Sequence, residues 1–389
     1  MCDIDRRDFV KLGTAGAAGL SFAGAVGPST AASITNDRMV FFHGDGLNLS
    51  PLEYAGVLTE ITAGGKVEPD YYSNGGVVEE LEGRMAEILG KEKAVFLPTG
   101  TLANHLAVRL LCEDRGGRRV VTQAESHLAN DAGDDCETLA GLRMVVVAPG
   151  ETGFALDQVK AEHARAEASR VKVGIGAISV ESPVRRKLGG VFDFEELSRI
   201  SAWARSEGIG LHLDGARLFM AAAYTGIPVD RWAELFDTVY VSLWKYFNAG
   251  SGAILAGPSD LLDGLFHSRR MYGGSLVRGW VYAAVALHYL DGFEDRFQRG
   301  VAVSEELFAN LEDHPNLGVH RVPQGSNVFI LEVKGTDAAT FRDRMMSNGI
   351  SLREPRDDGS LVIQVNETWA AATAEELGGR MEAALTERL

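Results

Sequence analysis

The sequence is short of cysteine, of positive charge and of long apolar runs. Three cysteines in 389 residues cannot build a disulfide framework. Cys2 lies in the N-terminal segment, which leaves Cys112 and Cys136, read as two buried free thiols. Lysine and arginine number 38 against 54 aspartates and glutamates, a formal net charge of −16. An excess of negative charge argues against nucleic acid or an anionic membrane as the main partner and favours a small-molecule ligand. No run is long and apolar enough to form a stable span of a bilayer. Repeats are also lacking, and so is low complexity beyond the N-terminal segment. What remains is 46% hydrophobic and 24% charged, the composition of an ordinary globular protein. The length suits two domains, or one large domain with an appendage.

The first 33 residues read differently. Arg6 and Arg7 are followed by Phe9 and Lys11, then by a weakly apolar run rich in Ala and Gly from residue 12 to 26. Small residues at Thr30, Ala31 and Ala32 suit a cleavage site. The order resembles a twin-arginine export signal of bacteria. It implies a periplasmic or exported protein that crosses the membrane folded, or a cytoplasmic one if the signal is unused.

Residues 34–75 are rich in Gly and Asn with little periodicity, and read as an arm (34–60) and loops. Apolar strands then alternate with helices. Strands are predicted at 94–98, in "RRVVT" and "RMVVVA", and at 173–180, 209–214, 239–243 and 253–256. Helices are predicted at 79–89 and 102–111, and one opens at Asp193 with a cap completed by Glu196. Apolar strands separated by helices imply an α/β fold with a mostly parallel sheet between helices. The large domain is placed at 61–290. A smaller C-terminal α/β domain, 291–389, carries helices at 301–311 and 338–347, the strand "SNVFILEV", short strands near Ile350 and Leu361, and a last helix capped by Thr373 with Glu376.

Lys245 stands alone among small and apolar residues in "YVSLWKYFNAGSGA". Such an amine either reaches water or is kept neutral for chemistry. Three other features precede it. Thr99, Gly100 and Thr101 open a helix after a strand, which makes a phosphate cradle. His127 follows the "VVT" strand, where an imidazole can stack on a flat ligand. Asp214 ends the strand "LHLD", and Arg217 follows it; the carboxyl edge of a parallel sheet is where ligands bind. A cradle, a stacking ring, an acid and an amine, in this order, are the parts needed to hold pyridoxal 5'-phosphate. The lysine reacts with its aldehyde, and the aspartate keeps its ring nitrogen protonated.

The stretches "NGGVVEELEGRMAEILGKEKAVFLPTGTLAN", "ESHL", "VESPVRRKLGGVFDFEEL", "LHLDGARLFMAAAYTGIPV" and "SLWKYFNAGSGAILAG" resemble the threonine aldolase / β-eliminating lyase family of fold-type I pyridoxal phosphate enzymes. The resemblance is strong over residues 40–290 and implies a seven-stranded large-domain sheet. It also implies that Lys245 holds the cofactor, Asp214 its nitrogen, His127 its ring, and Gly100 and Thr101 its phosphate. Arg217 would contact cofactor or substrate, Tyr72 would lie near the site, and Arg278 would reach phosphate, across a subunit interface in a homodimer or homotetramer. The activity implied is cleavage of a β-hydroxy-α-amino acid to glycine and an aldehyde, with His127 or Glu181 handling protons. No metal is implied. β-Elimination on the same lysine is the alternative, and a non-catalytic exported binder on the same fold is a second. The chain departs from the family in three places. Tyr246 and Phe247 flank the lysine, Ser182 replaces an asparagine after Glu181, and "GSLVIQVNETW" lacks an arginine that clamps the substrate carboxylate in many aldolases. Arg186 is the expected substitute, with Arg185 and Arg217 as alternatives.

Overall fold

The apolar runs become strands of three sheets in a computed structural model that describes residues 39–386. The export-signal segment 1–33 lies outside the described residues. In chain order the strands are β1 Val40–Phe41, β2 Lys93–Leu97, β3 Arg119–Gln123, β4 Arg143–Val147, β5 Ile175–Glu181 and β6 Gly210–Asp214. They continue with β7 Thr238–Ser242, β8 Ala253–Gly257, β9 Leu317–Arg321, β10 Val328–Val333, β11 Ile350–Ser351 and β12 Leu361–Gln364.

The large sheet has seven strands in the order β2-β8-β7-β6-β5-β3-β4. Pairing is parallel throughout except at β8, which runs against both neighbours. The reason is local. The connection 243–252 between β7 and β8 is shorter than the dozen or so residues that a parallel crossover needs. That short return carries Lys245.

Alternation along the strands sends side chains to both faces. On one face Val95, Leu97, Tyr240 and Leu255 pack with Ala103, Leu106 and Ala107 of the helix Gly100–Arg115. On the other, Ile178, Val180, Leu211, Leu213 and Val241 pack with Leu197, Ile200 and Ala204 of the helix Phe194–Ser206. A sheet covered on both sides explains why its strands read as unbroken apolar runs. The expected α/β class with a mostly parallel seven-stranded sheet is found.

The C-terminal region builds its own core. The antiparallel sheet β12-β10-β9 contributes Leu317, Phe329, Leu331, Leu361 and Ile363 against the helices Phe293–Asn310, Ala338–Ser347 and Ala374–Thr386. Thr373 and Glu376 exchange the two bonds of a capping box, at 3.1 and 2.8 Å. At the earlier helix only half of the expected box forms. Asp193 accepts from the Glu196 N–H, whereas the Glu196 carboxylate turns to the N–H of Leu156.

The segment read as arm and loops is more ordered than its composition suggests. β1 pairs in parallel with β11, and Phe42 stacks on Trp369 with ring centroids 3.9 Å apart. Pro51–Ala63 is a helix, with Ser50 as N-cap, Glu53 completing a capping box and proline in the first turn. Among the described residues no helix is long and apolar enough to cross a membrane.

Candidate active site

Five chemically loaded side chains of the large sheet sit at or just beyond the carboxyl ends of its strands. β2 leads into Thr99, β3 into His127, β5 ends in Glu181, β6 ends in Asp214 and β7 leads into Lys245. These ends converge on a cavity of about 340 Å³ lined by, among others, Gly100, Thr101, Asn104, His127, Asp214 and Lys245. A second chamber of about 700 Å³ opens beside it, between the large sheet, the arm and the C-terminal sheet. Arg185, Arg217, Trp244 and Lys245 line both.

Lys245 is anchored by its neighbours. Tyr246 and Phe247 are fully buried and pack on Phe219 and Phe293, with Tyr246–Phe293 and Phe247–Phe293 centroids each 5.2 Å apart. The two aromatics expected beside the reactive amine therefore point into the core and pin the segment instead. The Lys245 Nζ lies 4.9 Å from the centre of the half-exposed Trp244 ring. Burial first, and the Arg217 charge second, lower the amine's pKa to about 8. The arm approaches so closely that a Cβ on Gly46 would lie 2.4 Å from the Lys245 carbonyl oxygen.

Asp214 is buried. One oxygen accepts from Asn104 Nδ2 at 2.6 Å and the other from the Ala216 N–H at 3.1 Å. Asn104 Oδ1 lies 2.9 Å from His212 Nε2, and His212 Nδ1 lies 2.9 Å from Thr238 Oγ1. Burial lowers the His212 pKa to about 4, so the ring is neutral. With the amide donating to Asp214, Nε2 carries the His212 proton and Nδ1 accepts from Thr238. This relay holds the carboxylate in one orientation.

Gly100 has no room for a side chain: a Cβ would lie 2.0 Å from Tyr240 Oη. The helix start can press against the cavity only because the residue is glycine. Thr99 caps it, accepting from the Leu102 N–H at 3.3 Å. First-turn N–H groups have no acceptor within their own helix and suit an anion.

Glu181 accepts from the His127 N–H at 2.5 Å and from the Arg185 N–H at 2.9 Å. Burial, then the charge of Asp214, raises its pKa. His127 itself lines the cavity, and its buried Nδ1 has no hydrogen-bond partner. Arg217 forms a two-bond pair with Asp45 of the arm, at 2.9 and 2.8 Å. Burial opposes the Asp45 charge, but Arg217 outweighs it and holds the carboxyl below its usual value.

Of the residues singled out from sequence, Gly100, Thr101, His127, Glu181, Asp214, Arg217 and Lys245 come together here. Tyr72, Arg186 and Arg278 line neither chamber of the single chain. Arg186 is turned to Asp131, at 2.8 and 3.2 Å, and Arg185 shares the same carboxylate. Arg278 donates to the Asp70 carbonyl and lies over Tyr71. Ser182 is structural: its hydroxyl accepts from the Phe192 N–H. Asn104, His212, Asp45 and Arg353 were not foreseen. Two of them had a signal. Asn104 lies one helical turn after Gly100, and His212 lies two residues before Asp214 on the same strand face.

The site fits a flat phosphorylated aldehyde on its own terms. An amine of lowered pKa, an oriented carboxylate, a helix start cleared by glycine and an unpartnered imidazole nitrogen share one cavity. Cys112 and Cys136, both free and buried, take no part.

The chain is similar to known proteins over most of this fold. The family described as Beta-eliminating lyase matches residues 57–334. Low-specificity L-threonine aldolase 1 of Arabidopsis thaliana is 25% identical over 299 residues, 76% of this chain and 83% of that protein. The low-specificity L-threonine aldolase of Saccharomyces cerevisiae is 30% identical over 217 residues, 53% of each chain. A crystal structure of a protein assigned as an L-allo-threonine aldolase, from Listeria monocytogenes, superposes with a TM-score of 0.72 at 28% identity. It covers 90% of this chain and 96% of that one. The family match takes in all seven strands of the large sheet together with Lys245 and Asp214, and on that span the chain belongs to the β-eliminating lyase family.

Proposed function

We propose that this protein is a pyridoxal-phosphate-dependent lyase of the threonine aldolase type, cleaving the Cα–Cβ bond of a β-hydroxy-α-amino acid to glycine and an aldehyde. The observation that carries the reading is that Lys245 and Asp214 line one cavity beside the glycine-cleared helix start. The names of the relatives support the same choice.

Bound there, the cofactor supplies an aldehyde for an amine and a ring that accepts an electron pair. Lys245 would hold the aldehyde carbon, Asp214 the ring nitrogen, His127 the ring face, and Gly100 and Thr101 the phosphate. Asn104 and neutral His212 keep Asp214 oriented as a charge stabiliser. The β-hydroxyl proton must go to a base. Glu181 engages each oxygen with a backbone N–H, whereas His127 Nδ1 has no partner. His127 is therefore assigned as the base and Glu181 as the residue that positions it. Arg217, locked to Asp45, offers a fixed positive edge between the chambers.

Two further readings go with this one. The order of residues 1–33 supports export of the folded, loaded enzyme by the twin-arginine route. An uncovered surface around Tyr71 and Val277, beside Tyr72 and Arg278, supports assembly of a homodimer or homotetramer.

The test is direct. Purified protein supplied with pyridoxal phosphate is offered threonine and other β-hydroxy-α-amino acids. Aldehyde plus glycine is the expected product, and Lys245→Ala abolishes both the product and the visible absorbance of the bound cofactor. A keto acid plus ammonia would move the assignment to β-elimination. A protein that takes up no cofactor sinks it.

A further inference from the structure

We propose that Arg353 is the substrate-recognising cation of the larger chamber, binding the α-carboxylate of the amino acid. The inference rests on the lyase reading above and adds to it the residue that selects amino acids.

The larger chamber holds four cationic side chains: Arg185, Arg217, Lys245 and Arg353. Three are already engaged. Arg217 is neutralised by Asp45 through two hydrogen bonds. Arg185 is tied to Asp131 at 2.5 Å. Lys245 has a lowered pKa and serves the neighbouring cavity. Arg353 differs. Among the described residues no carboxylate pairs with it, and Glu354 beside it is turned to Arg342. Its charge nonetheless reaches into the chamber. It helps lower the pKa of His43, after burial, and adds to the lowering at Asp45. Asp45 is committed to Arg217, so Arg353 presents a positive charge to a chamber without a free anion to answer it.

Its placement is built into the fold. Arg353 follows β11, which pairs with β1 of the arm. The arm then delivers Asp45 and Gly46 to Arg217 and to the backbone of Lys245. One strand pair thus ties Arg353 to the site through hydrogen-bonded backbone. A substrate whose amine lies toward Lys245 must put its carboxylate elsewhere in the chamber, and a guanidinium offers two parallel N–H donors to a carboxylate.

Hydrogen bonds of this charged kind correspond to a change of about tenfold to a hundredfold in binding. The experiment uses the cofactor-loaded enzyme, with glycine and glycinamide as probes followed by calorimetry and by the cofactor's absorbance. Wild type should bind glycine far more tightly than glycinamide. Arg353→Gln should lose most of that preference and raise KM for the β-hydroxy-α-amino acid by about tenfold or more. Its cofactor spectrum should be unchanged. Arg353→Lys should recover part of the preference, and Arg356→Gln, on the exposed turn beyond, should behave as wild type. Equal glycine affinity in wild type and Arg353→Gln overturns the assignment while leaving the lyase reading in place. A wild-type protein that takes up cofactor but binds neither probe overturns this assignment as well, and one that takes up no cofactor removes both readings.

Discussion

At Lys245 the structure ties reactivity to instability. The amine's ordinary pKa of 10.5 is lowered to about 8, by burial first and by Arg217 second. Between those two values the unfolded chain keeps the proton that the folded chain has released, so stability rises with pH across that window. The penalty is complete below about pH 8 and fades toward 10.5. Lys245→Met in the cofactor-free protein should therefore melt at a higher temperature than wild type at pH 7, and the gap should narrow as pH rises toward 10. A gap that stays constant with pH would show that burial and Arg217 do not lower the amine's pKa. Residues such as Lys245, Asp214 and His127 were legible in the sequence because their chemistry is carried by residue type and by position after a strand. Asn104 and His212 were not, because they act through Asp214. The Asn104–Asp214 bond joins positions 110 residues apart, and an asparagine in a helix announces no partner. Arg186, expected near the substrate because it is basic and lies five residues after Glu181, is instead turned to Asp131.

Among the elements, the large sheet could be read and the arm could not. Apart from the edge strand β4, the sheet strands are covered on both faces and so appear as apolar runs. The helix Pro51–Ala63 has no buried residue, so no apolar stripe marks it. Its capping box and first-turn proline were present but sat in a stretch read as glycine-rich loop. Even β8 was recognised as a strand while its direction was not, since direction depends on the length of the return that carries Lys245. The arm matters because it brings Asp45 to Arg217. Removing one member of a buried ion pair leaves the other unanswered in low dielectric, at a loss of about 3 kcal/mol. Asp45→Asn should lower unfolding free energy by about that amount, read by denaturant titration, and should loosen the wall shared by the two chambers. Asp45→Asn with unchanged stability would mean that the arm pairs with Arg217 without supporting the fold.

For the whole molecule, the open question is what covers the surface around Tyr71 and Val277. Tyr71 is 63% exposed and Val277 52%. Arg278 lies over the Tyr71 ring and Arg270 over the Tyr72 ring, with centroid distances of 5.5 and 4.9 Å. Aromatics and arginines grouped with uncovered apolar residues have the composition of interface centres. The surface also holds Tyr72 and Arg278, two of the three residues expected at the site from sequence that line neither chamber of their own chain. A symmetric assembly in which this surface on each copy faces the site of the other would account for both facts. The protein should sediment as a dimer or a larger even-numbered assembly. Val277→Asp should shift it to monomer without unfolding it, because Val277 is not part of any core, and turnover should fall with the loss of assembly. A wild-type protein that is monomeric at micromolar concentration and fully active would show that the single-chain site is complete and that Tyr72 and Arg278 have no part in it.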